Sequence, residues 1–259
     1  MKDLTKCNIS KVILQFAIPI FLGQIIQIFY GITDTWIIGR ILGDNALAAV
    51  GAVTPINDLI VGFLIGLTNG FAIITAQLFG AKDKEGLNKS FAASLLFGTL
   101  TALILTIISI AFLPNILSLI NIAPEHIDNG TKYIRVILFG MIASMLYNVY
   151  ASTLRAMGDT KAPLIFLVIS AILNIVLDYM LVGSAHMGVA GASIATVFSQ
   201  LISALLCFVY IQKKYPILHL TKMVLVNMNE LELVLKNPYV YLGSGVLQLL
   251  PSLTPLFHT

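Results

Sequence analysis

Residues 91–113 read FAASLLFGTLTALILTIISIAFL and contain no charged side chain. An apolar run of roughly 18 or more residues is long enough to cross the hydrocarbon core of a bilayer as a helix. The whole chain has the same character, because 58% of its 259 residues are hydrophobic and only 10% are charged. Ordinary soluble domains have about 25% charged residues. The sequence therefore predicts an integral membrane protein.

Apolar segments of similar length flank this stretch on both sides. The predicted fold class is an all-α membrane protein with six transmembrane helices. A polar, basic N-terminus precedes an apolar run that is too long for a signal peptide, so we interpret that run as an uncleaved first helix. The predicted spans are residues 12–38, 53–79, 91–113, 134–154, 163–182 and 189–212.

The positions of lysine and arginine predict the orientation of these helices. Most of them lie in the N-terminal segment and in the connections that follow the even-numbered spans. The outer loop at residues 114–129 has none, but carries Glu125 and Asp128. Cytoplasmic loops of membrane proteins are enriched in basic residues, so we expect a multi-pass plasma-membrane protein with both termini in the cytoplasm. For the two cysteines, Cys7 and Cys207, we expect no disulfide.

Two aspartates lie inside predicted spans. Asp34 is about one turn from the outer end of the first span, and Asp178 is about one turn from the outer end of the fifth. Carboxylates are costly in a bilayer, which makes them candidates for function. If their helices are neighbours, the two carboxylates face each other and can exchange a proton or hold Na⁺, a cation that prefers oxygen ligands. The alternative is that they lie in the interface, binding water or capping helix ends.

Polar residues at a similar depth support the functional interpretation. Asn174 precedes Asp178 by one helical turn, so the two share a helix face. Thr196 lies in the outer half of the sixth span, while Gln27 and Tyr30 precede the first aspartate by seven and four residues. Hydrogen bonding within and between the helices does not require this many polar side chains at one depth.

A third aspartate, Asp58, follows Pro55 near the start of the second predicted span. For this residue we favour an interfacial or helix-start carboxylate. The sequence contains no P-loop, no nucleophile–base pattern and no cluster of metal-ligating side chains, which argues against an ATP-driven pump and against an enzyme. Apart from the proton or Na⁺, no cofactor is expected, and the scattered basic residues do not indicate nucleic-acid binding.

Several motifs resemble, in order and spacing, the N-terminal half of the multidrug and toxic-compound extrusion (MATE) family. The most specific is LRAMGDTKAP at residues 154–163, which is similar to the family's loop between helices four and five. The other matching elements are Pro19, TDT at residues 33–35, Gly39, ALAAV at 46–50, QLFGA at 77–81, LNIVLD at 173–178 and GVAGASIAT at 188–196.

The resemblance implies a secondary antiporter that exports cationic, amphipathic drugs in exchange for Na⁺ or H⁺. It also implies a cation site in the N-lobe. Gln27 and Tyr30 would then line the substrate cavity next to that site. By that resemblance, the residues that fall on the cation site are Asp34, Asn174, Asp178 and Thr196.

The resemblance covers only one of the family's two six-helix lobes. We expect residues 1–222 to form the N-lobe, and residues 223–259 to form a cytoplasmic segment and a tail unlike the family. A truncated or frameshifted reading frame is the preferred explanation. A half-transporter that pairs with itself or with another chain remains open. So does a non-transporting lobe or interaction partner, and so does a flippase for lipid-linked precursors.

Overall fold

The computed structural model describes residues 9–120 and 122–219, and within these ranges every regular element is helical. The helices are α1 (Ile9–Leu42), α2 (Asp44–Gly80), α3 (Lys84–Ala111), α4 (Leu113–Leu119), α5 (Pro124–Ala156), α6 (Lys161–Asp178) and α7 (Gly188–Lys214). A π-helical turn, Tyr179–Ser184, extends α6, and a 3₁₀ turn, Pro216–Leu218, follows α7.

Six of these helices are long and apolar enough to cross a membrane, which confirms the number of predicted spans in the described residues. They are the segments Phe16–Leu42, Asp44–Gly80, Lys84–Ala111, Pro124–Ala156, Lys161–Ser184 and Gly188–Lys214. The seventh helix, α4, is a short connection between α3 and α5.

The predicted boundaries were wrong at three helix starts. Helix α2 begins at Asp44 rather than near residue 53, α3 begins at Lys84 rather than near residue 91, and α5 begins at Pro124 rather than near residue 134. Most of the expected outer loop at residues 114–129 is therefore helical. An apolar window detects only the part of a helix that matches hydrocarbon, whereas the helix itself continues through polar turns. In α5 such a turn carries the ion pair between Lys132 and Asp128.

Local signals define several helix ends. Gly43 has φ +83° and stands between α1 and α2, in a conformation that side chains with a Cβ rarely adopt. Asp83 caps α3, because its carboxylate accepts a hydrogen bond of 2.9 Å from the backbone N–H of Gly86.

Helix α5 lies at the centre of the lobe, against α2, α3 and α7. Its side chains Ile134, Leu138 and Met145 are fully buried in the main apolar core. Gly140 permits a close approach to α7, since a Cβ added there would overlap a methyl group of Val197. Small residues let membrane helices pack closely in this way.

Helix α1 packs mainly on α6 and α2 and stands at the edge of the lobe. Among its described side chains, only Asp34, Ile37 and Ile38 are buried. Large apolar side chains such as Phe29 and Trp36 are exposed. A carboxylate is therefore one of the three described side chains that this helix buries. Cys7 and the expected tail at residues 223–259 lie outside the described residues.

Candidate functional site

The two membrane aspartates lie deeper in their helices than the sequence predicted. Asp34 is about two turns before α1 ends at Leu42, rather than one. Asp178 is the last α-helical residue of α6, and the π-helical turn Tyr179–Ser184 carries the helix further. Single π-helical turns in α-helices occur frequently at functional sites.

The structure brings these two aspartates together. The Asp34 carboxyl lies beside the Asp178 carboxyl and the hydroxyl of Tyr133. Asp34 is 7% exposed and Asp178 is 0% exposed. Oδ1 of Asp34 and both carboxyl oxygens of Asp178 have no hydrogen-bond partner. Buried polar groups are nearly always hydrogen-bonded, and two carboxylates satisfy each other only through a shared proton or cation.

Asn174 and Thr196 complete the wall behind the carboxylates. Asn174 is fully buried, and its Nδ2 donates to Oγ1 of Thr196 across 3.5 Å. Its own carbonyl oxygen, Oδ1, has no partner. The hydroxyl of Tyr30 lies beside Thr196 and is also buried. Residues from α1, α6 and α7 therefore direct several oxygen atoms to one place, which is the kind of ligand set that Na⁺ or a proton can use.

Gln27 does not join this group. It is exposed, and it lines an open groove and a small inner pocket instead of the chamber around Asp34. The expectation that it shares the face of Asp34 considered only rotation about the helix axis. Seven residues also displace Gln27 by about 10 Å along that axis, which places it below the chamber.

A chamber of about 220 Å³ opens in front of Asp34. It is smaller than the roughly 300–1,000 Å³ of a drug-sized site, so it suits an ion with water or one end of a larger molecule. Its polar lining residues come from α1, α2, α5 and α7. They are Tyr30, Asp34, Thr35, Thr54, Asn57, Asp58, Tyr133, Ser144, Thr196 and Gln200.

Sequence reasoning missed the α5 side of this chamber. Tyr133 touches the Asp34 carboxyl, and Ser144 hydrogen-bonds to the side-chain oxygen of Gln200. The spacing of Thr196 and Gln200, four residues apart on α7, was an available signal, because residues at that spacing share a helix face. Tyr133 had no such signal, since it lies outside the apolar window used to predict the fourth span.

The interpretation of Asp58 as a helix-start carboxylate was wrong. Helix α2 begins at Asp44, so Asp58 lies about four turns inside it and faces the chamber. Its Oδ1 accepts a hydrogen bond of 3.4 Å from the neighbouring Asn57 amide.

A second, open cavity runs along α1 and α2, with a volume of about 970 Å³. It combines apolar and aromatic side chains with amides and charged groups. Its lining includes Gln24, Gln27, Ile28, Ile32, Trp36, Arg40, Asp44, Leu47 and Asp58. This groove is large enough for a drug-sized molecule. Within the described residues there is no group of three or more His, Cys, Asp or Glu side chains placed to hold a metal.

Comparison with protein families gives a match to the MatE family over residues 19–180. The chain is 32% identical over 207 residues to the probable multidrug resistance protein YoeA of Bacillus subtilis, covering 78% of this chain and 45% of that protein. It is 30% identical over 205 residues to the probable multidrug resistance protein NorM of Thermotoga maritima, covering 76% and 43%. The chain spans about half the length of the curated relatives it matches.

Solved structures give the same answer for the fold. A MATE structure in the bent conformation has a TM-score of 0.83 and 27% identity, covering 93% of this chain and 53% of that chain. An outward-facing multidrug resistance transporter of the MATE family has a TM-score of 0.82 and 26% identity, covering 92% and 52%. The similarity thus includes nearly all of this chain and about half of each solved chain.

Proposed function

Because the chain belongs to the MatE family of multi-pass membrane transporters, we propose that it supplies one lobe of an antiporter that exports cationic, amphipathic drugs in exchange for Na⁺ or H⁺. The relatives named as multidrug resistance proteins support drug export. The observation that carries the proposal is the buried Asp34–Asp178 pair, in which Oδ1 of Asp34 and both carboxyl oxygens of Asp178 have no hydrogen-bond partner. A proton or Na⁺ is the partner that such a pair requires.

In this mechanism the coupling ion binds between α1 and the α6–α7 pair. Asp34, Asn174, Asp178 and Thr196 supply the oxygen atoms, and the ion removes repulsion between the two carboxylates. Helix α1 is the element that responds, because few of its described side chains are buried and Pro19 interrupts its backbone hydrogen bonds. Ion binding draws Asp34 towards α6 and shifts α1 about Pro19.

The drug occupies the groove of about 970 Å³ next to the ion-binding chamber. Gln27 and Trp36 line this groove, while Tyr30 lies in the chamber. Movement of α1 changes both cavities, because α1 contributes to each. A binding site that reshapes when the ion arrives is what alternating export requires.

The lysines that follow α2 and the basic residues in the last turns of α5 and α7 support a plasma-membrane protein with cytoplasmic termini. Transport between two lobes needs a second lobe, and self-association or pairing with a second-lobe partner is the part of the proposal that concerns partners. The alternative is a non-transporting membrane lobe or interaction partner.

The first test is ethidium efflux from drug-sensitive cells that express the chain alone or joined to the second lobe of YoeA. We expect the joined protein to export ethidium, and we expect Asp34→Asn and Asp178→Asn each to abolish its response to Na⁺ and pH. Glu85→Gln is the matched control, since Glu85 is an exposed carboxylate paired with Lys89 at the start of α3. Unchanged export and coupling in Asp34→Asn would overturn the mechanism.

The chain expressed alone distinguishes the two alternatives. Export by the short chain, lost on Asp178→Asn, indicates assembly into a working half-transporter. Membrane insertion without export, together with export by the joined protein, indicates an isolated lobe whose site needs its second half.

A further inference from the structure

Asp58 lies where the two cavities meet. The chamber and the groove have only four lining residues in common, Gly31, Thr35, Thr54 and Asp58. Asp58 is the one charged residue among the four. Anything that extends from the groove into the chamber must pass this carboxylate.

The charge of Asp58 is unbalanced in the described part of the chain. Its one hydrogen bond is the long contact of 3.4 Å from Asn57, and no Lys, Arg or His among the described residues forms an ion pair with it. A carboxylate four turns inside a membrane-spanning helix is expensive, and such residues face water-filled paths or bind cations. Its side chain is exposed to the cavities, so a ligand can reach it.

A second observation at the same chamber points to a ligand. Asp34 is more than nine-tenths buried, lines the chamber, and leaves Oδ1 without a partner. The chamber therefore contains two carboxylates on different helices, α1 and α2. Asp34 is packed against Asp178. Asp58 lies among the four residues that the chamber and the groove share, which we call the neck, and has no ion-pair partner among the described residues.

The groove beyond the neck has the chemistry of an amphipathic cation site. Trp36 presents an exposed indole, and Ile28 and Ile32 provide apolar surface. The charged residues that line the groove are Arg40, Asp44 and Asp58, so its formal charge is negative. Aromatic faces and carboxylates together select organic cations.

We propose that the Asp58 carboxylate binds the positive group of the transported drug, at a subsite separate from the Asp34–Asp178 pair that takes the coupling ion. The proposal rests on the function proposed above and adds the residue that recognises the substrate's charge. Since Asp34 of the carboxyl pair and Asp58 line the same chamber, a cation at the pair repels a drug held at Asp58. Ion and drug then displace each other through electrostatic repulsion, without competing for the same ligand atoms.

Purified full-length chain tests this by direct binding. Ethidium binding is followed by fluorescence anisotropy, with methyltriphenylphosphonium and triphenylphosphine oxide as competitors. These two competitors have a similar shape, but only the phosphonium is charged. We expect Asp58→Asn to weaken ethidium binding about tenfold, a size that corresponds to the loss of one partly solvated charge interaction. We also expect it to remove the preference for the phosphonium and leave binding of the neutral oxide unchanged.

Two further variants make the result specific. Asp58→Glu keeps the charge, so it should retain the preference for the phosphonium. Asp128→Asn removes an exposed carboxylate of the α5 outer end, so it should bind all three probes as the unaltered chain does. Size-exclusion profiles and helical circular dichroism verify that every variant is folded.

The outcomes separate this proposal from the function it rests on. If the chain binds ethidium and Asp58→Asn binds it equally well, Asp58 does not hold the drug's charge, although the antiport proposal stands. If Asp34→Asn removes the phosphonium preference and Asp58→Asn does not, the carboxyl pair holds the drug and the two-subsite arrangement is wrong. If the chain binds no probe, drug binding by this lobe is wrong and the role of Asp58 is wrong with it.

Discussion

The chain uses the same side chain in opposite ways at two places. Asp159, in the connection between α5 and α6, is surrounded by donors. Its Oδ2 accepts hydrogen bonds from the hydroxyl of Tyr210 at 2.8 Å, from Nζ of Lys214 at 2.7 Å and from the hydroxyl of Tyr215 at 3.2 Å. Its Oδ1 accepts from the backbone N–H of Ala162 at 3.3 Å. This carboxylate fastens the α5–α6 connection to the end of α7.

Asp178 has the opposite environment. It is fully buried beside Asp34, and neither of its oxygens has a donor. A carboxylate whose bonds are complete holds a structure together, whereas one whose bonds are incomplete keeps a place for a partner that comes and goes. The comparison therefore separates structural from functional aspartates by their hydrogen bonds, since burial alone would rank Asp178 as the more structural of the two.

The largest expected effect on stability is at the Asp159 cluster, which consists of Asp159 and its donors Ala162, Tyr210, Lys214 and Tyr215. Asp159→Ala removes the acceptor of several hydrogen bonds at once and leaves Lys214 and two tyrosine hydroxyls without it. Lys214 is half exposed, so water recovers part of the loss, and we expect a decrease of about 2 kcal/mol in the free energy of unfolding. Denaturant titration in detergent, followed by helical circular dichroism, measures it.

Asp128→Ala is the matched control for this prediction. Its ion pair with Lys132 is solvent-exposed, and such pairs contribute about 0.5 kcal/mol or less. If Asp159→Ala proved no more harmful than Asp128→Ala, the cluster would not be structural and the comparison would fail.

At the Asp34–Asp178 pair, substitution of an aspartate should change the free energy of unfolding in the opposite direction. Asp178→Asn removes an uncompensated buried charge and supplies an amide that can donate to Asp34. We expect the free energy of unfolding, measured without Na⁺ at pH 8, to increase by about 1 kcal/mol. A decrease of that size would mean that Asp178 already has a permanent partner. The same variant should also lose any stabilisation by added Na⁺ or by acid, because a ligand stabilises only the state that binds it.

The sequence predicted the aspartate pair because depth can be counted along a helix. Asp34 and Asp178 were correctly expected to meet if α1 and α6 were neighbours, and the structure has these helices in contact. Both the rotation about the helix axis and the displacement along it are needed to place a residue such as Gln27. The prediction considered rotation alone, and it wrongly put Gln27 at the depth of Asp34. Asp58 was misplaced because an apolar window cannot locate the polar start of α2. Tyr133 depended on tertiary packing of α5, which periodicity within one helix does not contain.

The individual donors of the Asp159 cluster should rank by charge and distance. Lys214→Met removes the shortest and only charged donor, and we expect a loss of about 1 kcal/mol. Tyr215→Phe removes the longest of the three side-chain contacts, and we expect a loss of about 0.5 kcal/mol. Equal losses in the two variants, in the same denaturant titration, would show that the charge of Lys214 has no special weight.

The smallest effect is the acid dependence of the same cluster. Burial raises the pKa of Asp159, but the hydrogen bonds from Lys214, Tyr210 and the Ala162 N–H outweigh burial, so its pKa is held below the usual value. An unfolded aspartate titrates at about 3.9. Because the folded pKa is the lower one, the carboxylate contributes its full stability above about pH 4 and loses it as the pH falls through the folded pKa.

The deficit in the free energy of unfolding of Asp159→Asn should therefore be constant from pH 8 to about pH 5 and then shrink in acid, as the unaltered chain loses the same charge. A deficit that stayed constant down to about pH 3 would place the stability in packing of the side chain. In that case the contrast with Asp178 would concern shape, and the difference in charge partners would not explain it.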